Sequence, residues 1–80
     1  MMRTPLELIV ALERECLKVD EAIAKRRWEA CEESWRAQRL LTHELDIAFA
    51  EHDLTEEDLV AARKRIDRLT RYREGQLKRL

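Results

Sequence analysis

Two tryptophans seven residues apart, Trp28 and Trp35, open a stretch running to Phe49 in which apolar residues recur at alternating three- and four-residue steps. At that spacing Trp28, Cys31, Trp35, Gln38, Thr42, Leu45 and Phe49 fall on one face of a helix, widened by Ala30, Ser34, Ala37, Leu41 and Ala48. A stripe this broad predicts a central helix that touches more than one neighbour. The remainder of the chain offers it only helices as neighbours: 80 residues contain one Gly and one Pro, and 41% are charged, which leaves little material for turns or strands. The chain therefore reads as one all-α domain. Its two architectures at this point are an antiparallel three-helix bundle and a long helical hairpin, with helices over about residues 4–25, 28–52 and 56–80.

The first helix has a strong start. Thr4 can accept from the N–H three residues on while Glu7 reaches back, and Pro5 stands where its missing N–H has no partner to lose. Leu8, Ile9, Leu12, Cys16, Val19 and Ile23 then form the main buried face. A narrower stripe of Leu6, Val10, Leu17 and Ala24 lies about 100° round the helix. Lys25-Arg26-Arg27 contains neither Gly nor Pro, so a continuous rod of about 73 Å over residues 4–52 is the alternative to a bend. The face traced by Ile9, Cys16 and Ile23 does not run smoothly into that of Trp28 and Trp35, which places the break there and favours three helices. Thr55 reads as the cap of the last helix, with Glu56, Glu57 and Asp58 in its first turn. That helix is expected to bury Leu59, Ala62, Ile66, Leu69, Leu77 and Leu80, and to fray beyond Gly75.

A domain of this size buries only about 60% of the surface its unfolded chain exposes, so support from a partner or a second copy is expected. No run of about 18 uncharged apolar residues is present and the N-terminus lacks the apolar core of a signal peptide, which points to a cytoplasmic protein without a membrane anchor. Cys16 and Cys31 lie on apolar faces without C-x-x-C spacing and read as small hydrophobes in a core.

The charge sums to −1 but is unevenly laid out. Glu44 to Asp58 holds seven acidic residues and no Lys or Arg, whereas Arg63 to Arg79 holds eight basic residues against Asp67 and Glu74. Lys64, Arg65, Arg68, Arg71, Lys78 and Arg79 gather opposite the apolar stripe, and Arg73 falls on the apolar side with its stem along the core. A pI near 6.1 argues against nucleic acid and for a solvated face that pairs with acidic neighbours. His43-Glu44 opens an H-E-x-x-H motif, but Ile47 stands where the second His belongs, so no metal and no other cofactor is expected. Ala61 to Leu69 resembles the opening helix of helical chorismate mutases, without the pocket residues that follow it there. The chain reads as non-enzymatic.

Leu40 and Ile47 project from the polar side of the second helix. With Leu6, Val10, Leu17 and Trp28 they are the candidate partner-binding residues, because apolar surface that a small bundle leaves uncovered marks an interface. The order of features resembles the small helical flagellar export chaperones of the FliT type, and more distantly the FlgN group. The matching residues are Ala22 to Ala30 around Trp28, then Gln38-Arg39-Leu40-Leu41 with Leu45, and Arg65-Ile66-Asp67-Arg68-Leu69. Arg26-Arg27-Trp28 replaces that family's Gly-Asp-Trp-like turn, and the C-terminal regulatory helix of its longer members has no counterpart among these 80 residues. The resemblance implies a secretion chaperone that binds an amphipathic helix of its export substrate. The other reading is a structural homo-oligomer, a dimer or coiled coil in which a second copy covers the same surface.

Overall fold

The computed structural model describes residues 3–79. Its three helices are α1 (Pro5–Ala24), α2 (Trp28–Glu51) and α3 (Glu56–Arg79), and the described residues contain no strand. Leu80, expected in the core of the last helix, lies outside the described residues. The caps explain two of the starts. Thr4 Oγ1 accepts from the Glu7 N–H at 3.3 Å, and the Thr4 hydroxyl donates to the Glu7 carboxylate at 3.1 Å. Thr55 Oγ1 accepts from the Asp58 N–H at 3.2 Å, leaving three carboxylates on the first turn of α3, where the helix dipole favours them.

The break after α1 is made without glycine. Arg27 N–H donates to Ala22 O at 2.8 Å and Arg26 N–H to Ile23 O at 3.0 Å, the paired bonds of a Schellman motif. That motif needs a left-handed residue, and here it is Arg26, with φ of 55°. A non-glycine side chain in this region carries strain of about 1 kcal/mol or more. Arg26→Gly is therefore expected to stabilise the fold by about 0.5–1 kcal/mol, after the extra unfolded-state entropy of glycine is subtracted. A thermal melt followed by circular dichroism should show the midpoint rising by several degrees; an unchanged or lower midpoint would mean that the Arg26 side chain contributes more than its backbone loses.

The helix at the centre of the fold is α1. Leu8, Ile9, Leu12 and Cys16 of α1 form one cluster with Leu41, Leu45 and Ala48 of α2 and with Ala62 and Leu69 of α3. A second cluster nearer the turn joins Val19 and Ala22 to Cys31, with Ile23, Ala30 and Trp35 packed against it. Among the described residues the α2 and α3 backbones nowhere approach within 8 Å, Cα to Cα. The expectation that α2 would be the central element is thereby corrected: α1 is the helix whose backbone meets both others. That seam is Cys31, Ser34, Gln38, Leu41, Leu45 and Ala48, at strict three- and four-residue steps, while Thr42 and Trp28 are exposed. Both cysteines are buried as small hydrophobes.

Residue pairings give the directions. Arg3 meets Glu44 and Cys16 meets Gln38, so α2 runs antiparallel to α1; Arg65 meets Glu13 and Arg79 meets Asp20, so α3 runs parallel to it. The body measures 41 × 25 × 13 Å. Three helices closed into a triangle at about 10 Å spacing would be only about 15 Å across. The radius of gyration, 13.5 Å, likewise exceeds the roughly 12 Å of a compact chain of this length. Taken together, these place α1 between α2 and α3 in a splayed arrangement that is more open on its α2–α3 side.

Around Cys16 a polar layer ties α1 to both neighbours. The Cys16 thiol lies 3.9 Å from Gln38 Oε1, Gln38 Nε2 donates to Ser34 Oγ at 3.3 Å, and Ser34 Oγ is 2.9 Å from both the backbone and a side-chain oxygen of Glu15. On the other side Gln76 Nε2 donates to Cys16 O and to Asp20 Oδ1, each at 2.8 Å. Burial pushes the Cys16 thiol up from its ordinary range, with Arg73 opposing, so at neutral pH it is a protonated donor. Polar groups in a seam of this kind fix register, because any slip leaves them buried without partners.

Candidate functional site

The missing backbone contact between α2 and α3 leaves a cleft on that side of the molecule. On α2, Trp35 and Phe49 are half-buried against the two core clusters, while Trp28 and Thr42 of the same heptad series are exposed. On α3, Leu59, Ile66 and Arg73 are half-buried. At the end nearer the α1–α2 turn, Trp35, Arg39, Arg73, Gln76 and Leu77 enclose a hollow of about 320 Å³. Trp35 is thus half-buried rather than wholly core: its ring packs on the cluster of Val19, Ala22 and Cys31 and borders the hollow. Arg73 is half-buried, as expected of a basic residue with an apolar stem on this face.

Leu77 corrects a sequence expectation. It is 62% exposed, and Gln76 is buried in its stead. The rotation of α3 about its own axis is set by Ala62 and Leu69, and Gln76 continues their seven-residue spacing; turning Leu77 inward would turn Leu69 out. Beyond Gly75, α3 is helical to Arg79, with Gln76 and Arg79 both bonded to Asp20. Gly75 lies in open space.

The six candidate binding residues do not converge. Leu6 and Leu17 are exposed along the back of α1 and Val10 between them is half-buried; Leu17 shares a hollow of about 230 Å³ with Glu13, Arg68, Leu69 and Tyr72 of the α1–α3 groove. Leu40, 68% exposed, borders a shallow groove with Arg3, Ala11, Arg14 and Glu44, and Ile47 lies two turns on along the outside of α2. Trp28, 53% exposed, stands beside Arg26, Arg27 and Glu29 at the start of α2. None of the six lines the hollow between α2 and α3, whose lining is Trp35, Arg39, Arg73, Gln76 and Leu77.

Arg39 and Arg73 put positive charge at the hollow between α2 and α3. On the outer side of α3, Arg65 pairs with Glu13 and Arg79 with Asp20 at 2.7 Å, so part of the basic face does meet acidic neighbours. Arg63, Lys64, Arg68, Arg71 and Lys78 are exposed with no carboxylate within 4 Å among the described residues. No described helix is long and apolar enough to cross a membrane. Comparison with protein-family models, curated proteins and solved structures finds no match.

Proposed function

We propose that the chain is a non-enzymatic protein-binding module whose α2–α3 cleft takes up an amphipathic helix of a partner, as a cytoplasmic export chaperone of the FliT type takes up its flagellar or type III secretion substrate. The observation that carries this reading is the lack of backbone contact between α2 and α3 among the described residues, with half-buried Trp35 and exposed Leu77 bordering one hollow between them. A helix laid there would close a four-helix bundle, burying Trp28, Trp35, Phe49, Ile66 and Leu77 against its apolar face. Two of those residues are tryptophans, the side chain most enriched among interface hot spots. The basic side chains at the turn end suit a partner helix with carboxylates there.

A photo-crosslinking amino acid at Leu77 tests this in cells. Leu77 is exposed, so the replacement leaves the core intact. The expected product is an adduct to a different protein, mapped by mass spectrometry to an amphipathic helix and lost when Trp35→Glu is added. Adducts to this chain alone, or adducts indifferent to Trp35→Glu, would overturn the reading.

A further inference from the structure

A second apolar surface lies on the far side of α3 from the α2–α3 hollow, since Arg68 and Leu77, nine residues apart, are about 180° from each other round the helix. There Leu17 of α1 and Tyr72 of α3, both exposed, border the hollow of about 230 Å³ that Cys16 and Leu69 also line, with Glu13 and Arg68 as its charged residues. That volume is below the roughly 300 Å³ at which small-molecule pockets begin, and suits a single apolar side chain.

Charge on the two flanking faces does not cancel. Between Val10 and Ala24, the ionisable residues within about 60° of Leu17 are Glu13, Arg14, Asp20 and Glu21; between Ala61 and Arg79, those within about 60° of Arg68 are Lys64, Arg65, Arg71 and Arg79. Every carboxylate of this set is already paired: Glu13 with Arg65, Asp20 with Arg79 at 2.7 Å, and Glu21 with Lys25 at 2.8 Å. Arg14, Lys64, Arg68 and Arg71 have no carboxylate within 4 Å among the described residues. Asp67 and Glu74 stand about 100° and 120° round α3 from Arg68, away from the groove. Glu57 does share the line of Arg68, but about 16 Å up the axis, beyond a Debye length; the site ends short of it, and Leu6 at that end is not part of it.

We propose that this α1–α3 groove docks an acidic amphipathic helix of another protein. One apolar side chain of that helix seats between Leu17 and Tyr72, and carboxylates beside it meet Arg68, Lys64 and Arg71 on the α3 rim and Arg14 on the α1 rim. From Val10 to Ala24 the groove is about 21 Å long, room for a helix of about four turns. An anionic bilayer would also find cations here, but Leu17 and Tyr72 project from two different helices and frame a hollow that a side chain fills and a flat surface does not.

The probe is a fluorescein-labelled peptide of about 18 residues, with leucines at alternating three- and four-residue steps and glutamates between them, beside a counterpart in which lysine replaces every glutamate. Anisotropy titrations with the full chain should show the acidic peptide binding at least about tenfold tighter than the basic one, and weakening by a similar factor on raising the salt to about 0.5 M. Leu17→Glu and Arg68→Glu, both at exposed positions, should each weaken the acidic peptide about tenfold or more, and Lys64→Glu/Arg68→Glu should reverse the preference between the peptides. Arg39→Glu, at the α2–α3 hollow, should change nothing. No binding, equal binding of the two peptides, or indifference to Leu17→Glu and Arg68→Glu would overturn the proposal. Loss with Arg39→Glu but not with Arg68→Glu would overturn it too, while leaving the α2–α3 hollow as the helix site. Leu17-dependent binding to phosphatidylserine vesicles, with no peptide bound, would replace the helix with a lipid surface.

Discussion

Ile9→Ala is expected to take away most of the stability of this protein. Ile9 is 0% exposed, in the cluster that joins all three helices, and truncating a buried Ile to Ala typically costs about 2–5 kcal/mol through lost transfer energy and the cavity left behind. A chain of this length has about 4–12 kcal/mol in total. Urea unfolding followed by circular dichroism should show the midpoint falling by a third or more, or the cooperative transition disappearing at room temperature. The sequence alone would have assigned the largest loss to Trp35→Ala. Because Trp35 is half-buried and borders the open cleft, its truncation is expected to lower the midpoint less than Ile9→Ala and to leave a cooperative transition. A larger loss for Trp35 than for Ile9 would show that the cleft is closed in solution.

Gln76→Ala should unlatch one end of the molecule without unfolding the other. Gln76 is 3% exposed and its amide donates to Cys16 O and to the Asp20 carboxylate, so the substitution removes a neutral and a charge-assisted hydrogen bond, together worth about 2–3 kcal/mol. No backbone of α2 lies within 8 Å to hold the end of α3 from the other side. Hydrogen exchange should therefore lose protection over the last three turns of α3 and keep it in α1 and α2. Uniform loss across all three helices would mean that α3 docks as one cooperative unit with the rest. Leu77→Ala is the control: an exposed residue on the next position, it should leave exchange as it is.

What local chemistry dictates was legible in the residues. The all-α class follows from a single Gly, a single Pro and unbroken three- and four-residue periodicity; the starts of α1 and α3 follow from Thr4 and Thr55, whose hydroxyls satisfy N–H groups a few residues on. The break after Ala24 was visible only as a shift of the apolar face, because Arg26 occupies the left-handed position that glycine would have announced. Burial of Cys16 and Cys31 could likewise be read from their places on apolar faces.

Tertiary structure alone decided which stripe each helix spends, and on whom. A helix as broadly apolar as α2 can turn either edge to a neighbour, and its periodicity is the same in both cases; packing on α1 buried Cys31, Ser34, Gln38 and Leu41, left Trp28 and Thr42 exposed and covered Trp35 only in part. In α3, Gln76 and Leu77 differ by 100° about the axis, and hydrophobicity favours Leu77. The outcome was set by the heptad running through Ala62 and Leu69 and by the acceptors Cys16 O and Asp20, which belong to another helix some sixty residues away and satisfy the buried amide. The cleft itself has no local signature, since it exists only because α1, rather than α2, stands between the other two: residues far apart in sequence become the walls of one groove through a choice of packing partner that no window of the chain contains.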